Sequence, residues 1–195
     1  MIQWLQDNRR FLLAVLLIGV VRGSLADHYV VPSGSMEPTL LPGDRVLVDK
    51  RAYGMHLPFT AIRFGTGTQV ARGDIVIFDE PNEGTRLIKR VVAIGGDVVA
   101  VHAGRVSING DFLAPNAAAA VEDFGHRQAH LDLSHGGGPD VAPIRVPPGQ
   151  VLVLGDARGN SRDGRWFGFV AERSLYAKAL GVYYRSGEGP VWLML

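Results

Sequence analysis

The chain has 195 residues, enough for one domain with its own hydrophobic core, or for one domain with an appended segment. Hydrophobic residues make up 47% and charged residues 20%, so most of the chain is not intrinsically disordered, and the formal net charge of +1 argues against a dedicated nucleic-acid-binding protein. The absence of cysteine excludes a disulfide framework, a thiolate zinc site and a cysteine nucleophile.

The first predicted element is an apolar segment near the N-terminus. Residues 11–21 (FLLAVLLIGVV) are uniformly apolar, with Arg9 and Arg10 before them and Arg22 after them. A helix of this length rises about 16 Å, which is short of the roughly 30 Å hydrocarbon core of a bilayer. The nearly apolar residues on either side lengthen it if Arg22 extends toward the headgroups. We therefore predict that residues 1–26 are a cytoplasmic N-terminus and a transmembrane signal anchor.

The charges around this segment predict its orientation. Residues 23–44 contain no Lys or Arg, whereas two arginines directly precede the apolar run. The positive-inside rule then leaves the N-terminus in the cytoplasm and the rest of the chain outside the cytoplasmic (inner) membrane, as a single-pass protein. Two alternatives stay open, a cleaved signal peptide and a buried or interfacial helix of a soluble protein.

The remainder of the chain has the pattern of a β protein, with 25 glycines and 11 prolines providing turns. Short segments rich in Val and Ile and bounded by Gly, Pro or Asp are predicted strands: residues 45–48, 74–78, 87–94, 98–101, 106–108, 151–154 and 175–184. Asn109-Gly110 is a typical turn of a β-hairpin. These signals predict a mostly β fold, with a compact β-sheet or β-barrel-like domain over residues 27–195.

One stretch of this domain differs from the rest. Residues 111–148 contain four consecutive alanines, three consecutive glycines and several prolines, which predicts a variable and partly flexible loop excursion from the β core. Its histidines, His126, His130 and His135, are predicted to be exposed. No accompanying carboxylate stands at ligand spacing, so the sequence indicates no metal site and no cofactor.

The most specific string is VPSGSMEPTL, residues 31–40, a stiff loop that presents serine hydroxyls. A serine is a poor nucleophile unless a base takes its proton, and none of the six histidines lies in an organised string. A lysine serves as the base only if burial lowers its pKa by several units. Lys89 lies in an apolar predicted strand, where alternation makes Leu87 and Val91 its neighbours on the same face. The alternative is an edge-strand lysine that points to water.

A third string, residues 155–170 (GDARGNSRDGRWFGFV), follows a predicted apolar strand. Its density of Asp, Arg, Asn and Ser predicts a hydrogen-bonded loop that fixes the geometry of a neighbouring site. A surface turn with exposed Asp–Arg pairs, which contribute little to stability, is the alternative.

Together and in this order, the three strings resemble the motifs of bacterial type I signal peptidases, the membrane-bound Ser–Lys leader peptidases. The likeness runs from about residue 11 to residue 170. It implies that Ser35 is the nucleophile and Lys89 the general base, that Ser33 is an oxyanion donor, and that Ser161 orients the lysine. It further implies structural roles near the site for Asp156, Arg158, Asp163 and Arg165, the last two as an ion pair, and apolar substrate pockets lined by Val31, Pro32, Met36, Leu40 and Ile88.

Three support positions depart from the family pattern. Ala157, Gly159 and Gly164 stand where the family often has Asn, Asp and Ser, and these differences affect local stability rather than the chemistry.

The resemblance implies an endopeptidase that removes signal peptides from secreted precursors, with small residues before the cut. Its partners would be those precursors and the lipid bilayer, without nucleic acid, and the oligomeric state stays open. Two other functions remain as alternatives: a conjugation-pilus-type maturation Ser–Lys peptidase and a non-catalytic membrane-tethered β module.

Overall fold

The structure of the protein is a computed structural model that describes residues 8–12, 26–56, 63–64, 67–114, 116 and 119–195. Most of the predicted membrane anchor, residues 13–25, lies outside the described residues. Within the described part of the chain, no helix has the length and apolar character needed to cross a membrane.

The described residues are mostly in β-strands, which confirms the mostly β prediction. Residues 9–12 are α-helical. The other helical elements of the described residues are short: three 3₁₀ helices, η1 (Gly34–Met36), η2 (Arg158–Asn160) and η3 (Glu172–Ser174), and one α-helical turn, α1 (Gly164–Phe167). The strands are β1 (Ala26–Val30), β2 (Arg45–Asp49), β3 (Met55–His56), β4 (Arg63–Phe64), β5 (Ile75–Asp79), β6 (Arg86–Ile94), β7 (Val98–His102), β8 (Arg105–Ile108), β9 (Asp111–Phe112), β10 (Val121–Asp123), β11 (Gln128–His130), β12 (Val141–Arg145), β13 (Gln150–Leu154), β14 (Val170–Ala171), β15 (Leu175–Arg185) and β16 (Gly189–Met194).

An eight-stranded antiparallel sheet is the main element of the fold. Its order is β1-β2-β15-β5-β6-β13-β14, and β16 pairs with β15 beside this path. The path ends at β1 and β14, which do not pair in the described residues, so the sheet is open rather than a closed barrel. β7 and β8 belong to a second, four-stranded sheet of order β12-β7-β8-β9. All seven predicted strands are present, each within one or two residues of its predicted ends.

The position of β6 explains its unusual sequence. β6 pairs with β5 on one side and with β13 on the other, and residues 88–93 are all buried. Because both faces are covered, the strand needs apolar side chains at successive positions, as strands in the middle of a layered fold do. Two charged residues interrupt this apolar run, and both are almost completely buried, Lys89 and Arg90 at 3% exposure each.

The core is divided into three clusters of buried side chains. The first lies under η1 and contains Met36 and Leu40 together with Val46, Ile77 and Val182. The second joins β6 and β13 to the four-stranded sheet, and the third packs around β5, β13 and β15. The η1 segment therefore rests on a packed apolar layer of the main sheet.

Residues 111–148 are more regular than the predicted excursion. They contain β9 and β12, which pair into the four-stranded sheet, and a two-stranded ribbon of β10 and β11. The glycine tract allows close backbone packing: a Cβ added at Gly137 would lie 2.2 Å from the carbonyl carbon of Ala103. The three histidines, His126, His130 and His135, are exposed as predicted.

The Asn109-Gly110 turn joins β8 to β9, as the sequence predicts, with Ile108 opposite Asp111. Both turn residues have positive φ, 55° for Asn109 and 98° for Gly110. A Cβ at Gly110 would contact nothing within 4 Å, so the space for a side chain is present and only the backbone conformation resists it.

We predict that Gly110→Ala lowers the free energy of unfolding by about 1 kcal/mol through this backbone strain alone. Asn109→Gly is the matched control and should change stability by only a few tenths of that amount, because Asn already tolerates the left-handed region. Urea unfolding measures both. An unchanged midpoint for Gly110→Ala would contradict the conformational assignment of this turn.

Candidate active site

Ser35 and Lys89 meet in the interior of the protein although 54 residues separate them. Ser35 is the central residue of η1, and Lys89 lies in β6 opposite Val76 of β5. The Lys89 Nζ is 2.6 Å from the Ser35 Oγ, a short hydrogen-bond distance. Ser35 is 8% exposed and Lys89 is 3% exposed. The alternative of a solvent-facing edge-strand lysine is therefore wrong.

Burial changes the acidity of the lysine. Removal from water disfavours the ammonium form and is the largest influence, and it lowers the pKa of Lys89 from 10.5 to about 8. The carboxylates of Asp163 and Asp156 act in the opposite direction, but less strongly. A lysine with this pKa is partly neutral near physiological pH and can accept a proton from a hydroxyl group.

Ser33 lies next to the nucleophile candidate. It precedes η1 in an extended conformation, with φ −149° and ψ 163°. Its Oγ is 3.4 Å from the Ser35 Oγ. A second hydroxyl group therefore lies within hydrogen-bonding reach of the Ser35 hydroxyl group.

Ser161 is placed differently from its implied role. Its Oγ is buried and has no hydrogen-bond partner among the residues that the structure describes, so the Ser161–Lys89 hydrogen bond is not formed in this structure. The hydroxyl group lies instead against Gly155, where an added Cβ would come within 2.3 Å of the Ser161 Oγ and 2.4 Å of the Ser35 carbonyl oxygen. The absence of a side chain at Gly155 thus lets Ser161 and the nucleophile loop both approach the backbone of this residue closely.

Asp156 forms an ion pair with Arg90, the residue after Lys89. The Arg90 Nε and Nη2 donate to the two carboxylate oxygens at 2.9 and 2.7 Å. The Thr39 hydroxyl group donates to the same carboxylate at 2.6 Å, and Arg90 also donates to the Gly73 carbonyl group. Sequence reasoning missed Arg90 and Thr39, although a Lys-Arg pair inside an apolar strand was a signal that both side chains need partners.

Asp163 and Arg165 form a second buried ion pair. The Arg165 Nε and Nη2 donate to the carboxylate at 2.8 Å each, and both side chains are fully buried. Asp163 also accepts the backbone N–H of Gly155 at 3.0 Å. The pair therefore fixes the loop immediately behind Ser35. Arg165 also neutralises the Asp163 carboxylate, just as Arg90 neutralises the Asp156 carboxylate.

Arg158 forms the third buried ion pair, and its partner is Glu122 of β10. The partner was not identified from the sequence, because it lies 36 residues away in the region predicted as a loop excursion. In the described part of the chain, no group of three His, Asp or Glu side chains has the arrangement of a metal site.

The predicted substrate-pocket residues belong largely to the core. Val31, Met36, Leu40 and Ile88 are between 0% and 3% exposed and pack in the first core cluster, whereas Pro32 is exposed. These four side chains form a closed apolar floor next to Ser35.

The family model described as signal peptidase, peptidase S26, matches residues 1–184. This chain belongs to that family. Among the signal peptidases, it is 32% identical over 183 residues to the probable signal peptidase I-2 of Synechocystis, covering 90% of this chain and 71% of the relative. It is 31% identical over 202 residues to the signal peptidase I of Pseudomonas aeruginosa, with the same coverage. A crystal structure of a signal peptidase I from Enterococcus faecalis aligns with a TM-score of 0.40 at 27% identity, covering 56% of this chain and 96% of that one.

The buried lysine has a measurable consequence for the stability of this signal peptidase family member. Below pH 8 the folded protein holds a desolvated ammonium group, and between pH 8 and 10.5 the unfolded chain binds more protons than the folded one. Stability should therefore rise with pH through this window. We predict that Lys89→Met removes this pH dependence. At pH 7 its free energy of unfolding should exceed that of wild type by as much as about 3 kcal/mol, and its denaturant midpoint should be higher.

The matched control is Lys178→Met. The Lys178 Nζ is 2.6 Å from the buried Asp74 carboxylate, so its removal leaves an unpaired charge and should destabilise the protein. Urea unfolding between neutral and alkaline pH measures both variants. A Lys89→Met protein that is less stable than wild type at pH 7 would contradict the desolvated state of Lys89.

Proposed function

We propose that this protein is a signal peptidase I, a membrane-bound endopeptidase that removes N-terminal signal peptides from secreted precursors. The observation that carries the proposal is the 2.6 Å approach of the Ser35 Oγ to an almost fully buried lysine amine. Its relatives, named signal peptidase I, are about 30% identical over some 90% of this chain, which supports the same substrate class.

In the proposed reaction, neutral Lys89 accepts the proton of the Ser35 hydroxyl group while the Ser35 Oγ attacks the carbonyl carbon of the scissile bond. The oxyanion is held by the Ser33 hydroxyl group and the Ser35 backbone N–H. When the C–N bond breaks, the Lys89 ammonium group gives its proton to the leaving amine. The signal peptide remains on Ser35 as an ester.

The second half of the reaction uses the same base. Neutral Lys89 takes a proton from a water molecule, and the resulting hydroxide attacks the ester carbonyl carbon. The bond to the Ser35 Oγ breaks, and the ammonium group of Lys89 returns the proton to the serine. The enzyme is regenerated without a cofactor, and the signal peptide leaves with a new carboxyl group.

The closed apolar floor gives a physical reason for the proposed specificity. Met36, Leu40 and Ile88 are already packed against other core residues, so they have little freedom to rearrange around a large substrate side chain. A large residue before the cut would have to displace core side chains. We therefore propose that small residues are preferred before the scissile bond.

The proposed membrane attachment has two parts. The apolar residues 11–21 serve as the single-pass anchor, with the N-terminus in the cytoplasm and residues 27–195 as the extracytoplasmic peptidase domain. The exposed apolar side chains of Val30 on β1, and of Trp192 and Met194 on β16, are 51%, 57% and 74% exposed. They lie on strands separated only by β2 and β15, and we propose that this side of the sheet faces the bilayer.

The catalytic assignment is tested by substitution at the two residues. We predict that Ser35→Ala and Lys89→Ala each lower the cleavage rate of a precursor with an Ala-x-Ala site by about 10³-fold or more. The double variant should be no slower than the slower single variant, because the two residues act as a unit. Ser134→Ala, an exposed serine outside the site, is the control and should retain wild-type activity. Near-normal cleavage by Lys89→Ala would remove the lysine from the mechanism.

The pH dependence of the reaction tests the protonation state of the base. We predict that kcat/KM falls about tenfold per pH unit below about pH 8, because protonated Lys89 cannot accept the Ser35 proton. Lys89→Arg should be inactive throughout the profile, since a guanidinium group does not lose its proton in a protein. An acid limb near the range of carboxyl groups, about pH 4, would instead indicate an Asp or Glu base.

A further inference from the structure

We propose that Glu122 is a positioning residue that holds the Ser35 nucleophile in place through Arg158. This inference rests on the proposed function, since positioning has meaning only if Ser35 reacts. Glu122 is the central residue of β10, in the region that the sequence predicted as a variable loop, and it does not contact Ser35 or Lys89 directly.

The Glu122–Arg158 pair is fully removed from water. The Arg158 Nη1 and Nη2 donate to the two carboxylate oxygens at 2.9 and 2.6 Å, and both side chains are 0% exposed. The backbone N–H of Val106 donates to the same carboxylate at 2.8 Å, and Arg158 also donates to the Gly104 carbonyl group. Because a bidentate pair with this geometry has one orientation, Glu122 determines where the guanidinium group of Arg158 lies.

The guanidinium group in turn holds the loop that supports Ser35. The Arg158 Nε donates to the Gly155 carbonyl oxygen at 3.0 Å. Two residues further on, the Ala157 N–H donates to the carbonyl oxygen of Ser35 at 3.2 Å. Three hydrogen-bonded contacts therefore connect the Glu122 carboxylate to the main chain of the nucleophile.

The backbone of the same region makes a second contact with this loop. The Asp132 N–H donates to the Asp156 carbonyl oxygen, and the Arg158 N–H donates to the Asp132 carbonyl oxygen, each at 3.0 Å. These main-chain bonds survive a side-chain substitution at Glu122. A Glu122 variant therefore removes the charged contact while the region stays attached at Asp132.

Loss of the carboxylate leaves a buried guanidinium group without its counter-ion. Arg158 is then expected to turn toward other acceptors or toward water, which releases the Gly155 carbonyl group and loosens the support of Ser35. A shift of about 1 Å in a reacting group lowers a catalytic rate by about 10²-fold. Substrate binding should change little, because the Glu122 carboxylate bonds to Arg158 and to the Val106 N–H and not to a residue of the apolar floor.

The first test is Glu122→Gln, which keeps the size of the side chain. We expect kcat to fall by about tenfold to a hundredfold with KM changed less than about twofold. The control is Asp97→Asn, which breaks the Arg72–Asp97 pair in the turn between β6 and β7, outside the catalytic machinery. It should lower stability and leave kcat unchanged. Wild-type kcat in a folded Glu122→Gln protein would overturn the proposal.

The second test separates positioning from stability. Glu122→Leu/Arg158→Met replaces the buried ion pair by apolar side chains, which restores much of the stability lost by Glu122→Gln but not the hydrogen bond to Gly155. We expect this double variant to unfold near the wild-type denaturant midpoint with kcat still reduced about tenfold or more. Recovery of full kcat together with stability would show that the pair is only structural and would overturn the proposal.

The controls distinguish this failure from failure of the proposed function. If wild type and Ser35→Ala are equally inactive on precursor, the peptidase assignment itself is wrong and the positioning role falls with it. If wild type is active, Ser35→Ala is inactive and the Glu122 variants match wild type in kcat, only the positioning role is wrong.

Discussion

A lysine ammonium group loses most of its favourable hydration when it enters a protein interior. The Lys89 residue is only 3% exposed to water. The proposed chemistry depends on this unfavourable state. A solvated lysine would stay protonated at neutral pH and could not accept the Ser35 proton. The central position of β6 between β5 and β13 provides the burial that keeps the pKa of Lys89 at about 8.

The carboxylates near Lys89 are arranged so that they do not cancel this effect. An unpaired Asp156 or Asp163 would stabilise the ammonium form and raise the pKa of Lys89. Each is instead neutralised by an arginine, Arg90 or Arg165, in a pair with two or more hydrogen bonds. Buried ion pairs contribute little net stability. Here they allow polar loops to pack close to Lys89, while desolvation remains the largest influence on the pKa of that lysine.

The loop after β13 is the common support of these interactions. Its Asp156, Arg158 and Asp163 take part in three separate buried ion pairs, with partners in β6, in β10 and in α1. Gly155 and Gly159 allow the close approaches, since an added Cβ would lie 2.4 Å from the Ser35 carbonyl oxygen and 2.0 Å from the His135 carbonyl oxygen, respectively. The departure from the family pattern at Gly159 thus coincides with a backbone contact that leaves no room for a side chain.

The sequence by itself determined seven of the strands and the Asn109-Gly110 turn, and it pointed to the family and to Ser35 and Lys89 as a candidate pair. Those features depend on local alternation of apolar residues, on backbone preferences of single residues, or on short motifs, and all of these are readable along the chain. Tertiary structure decided the partners of the buried charges. Glu122 and Arg158 are 36 residues apart, and Arg90 and Asp156 are 66 residues apart, so no local pattern couples them. Tertiary structure also decided that Ser161 has no hydrogen bond to Lys89. It placed most of the predicted pocket residues in the packed core, because their burial depends on which face of the sheet the η1 segment covers.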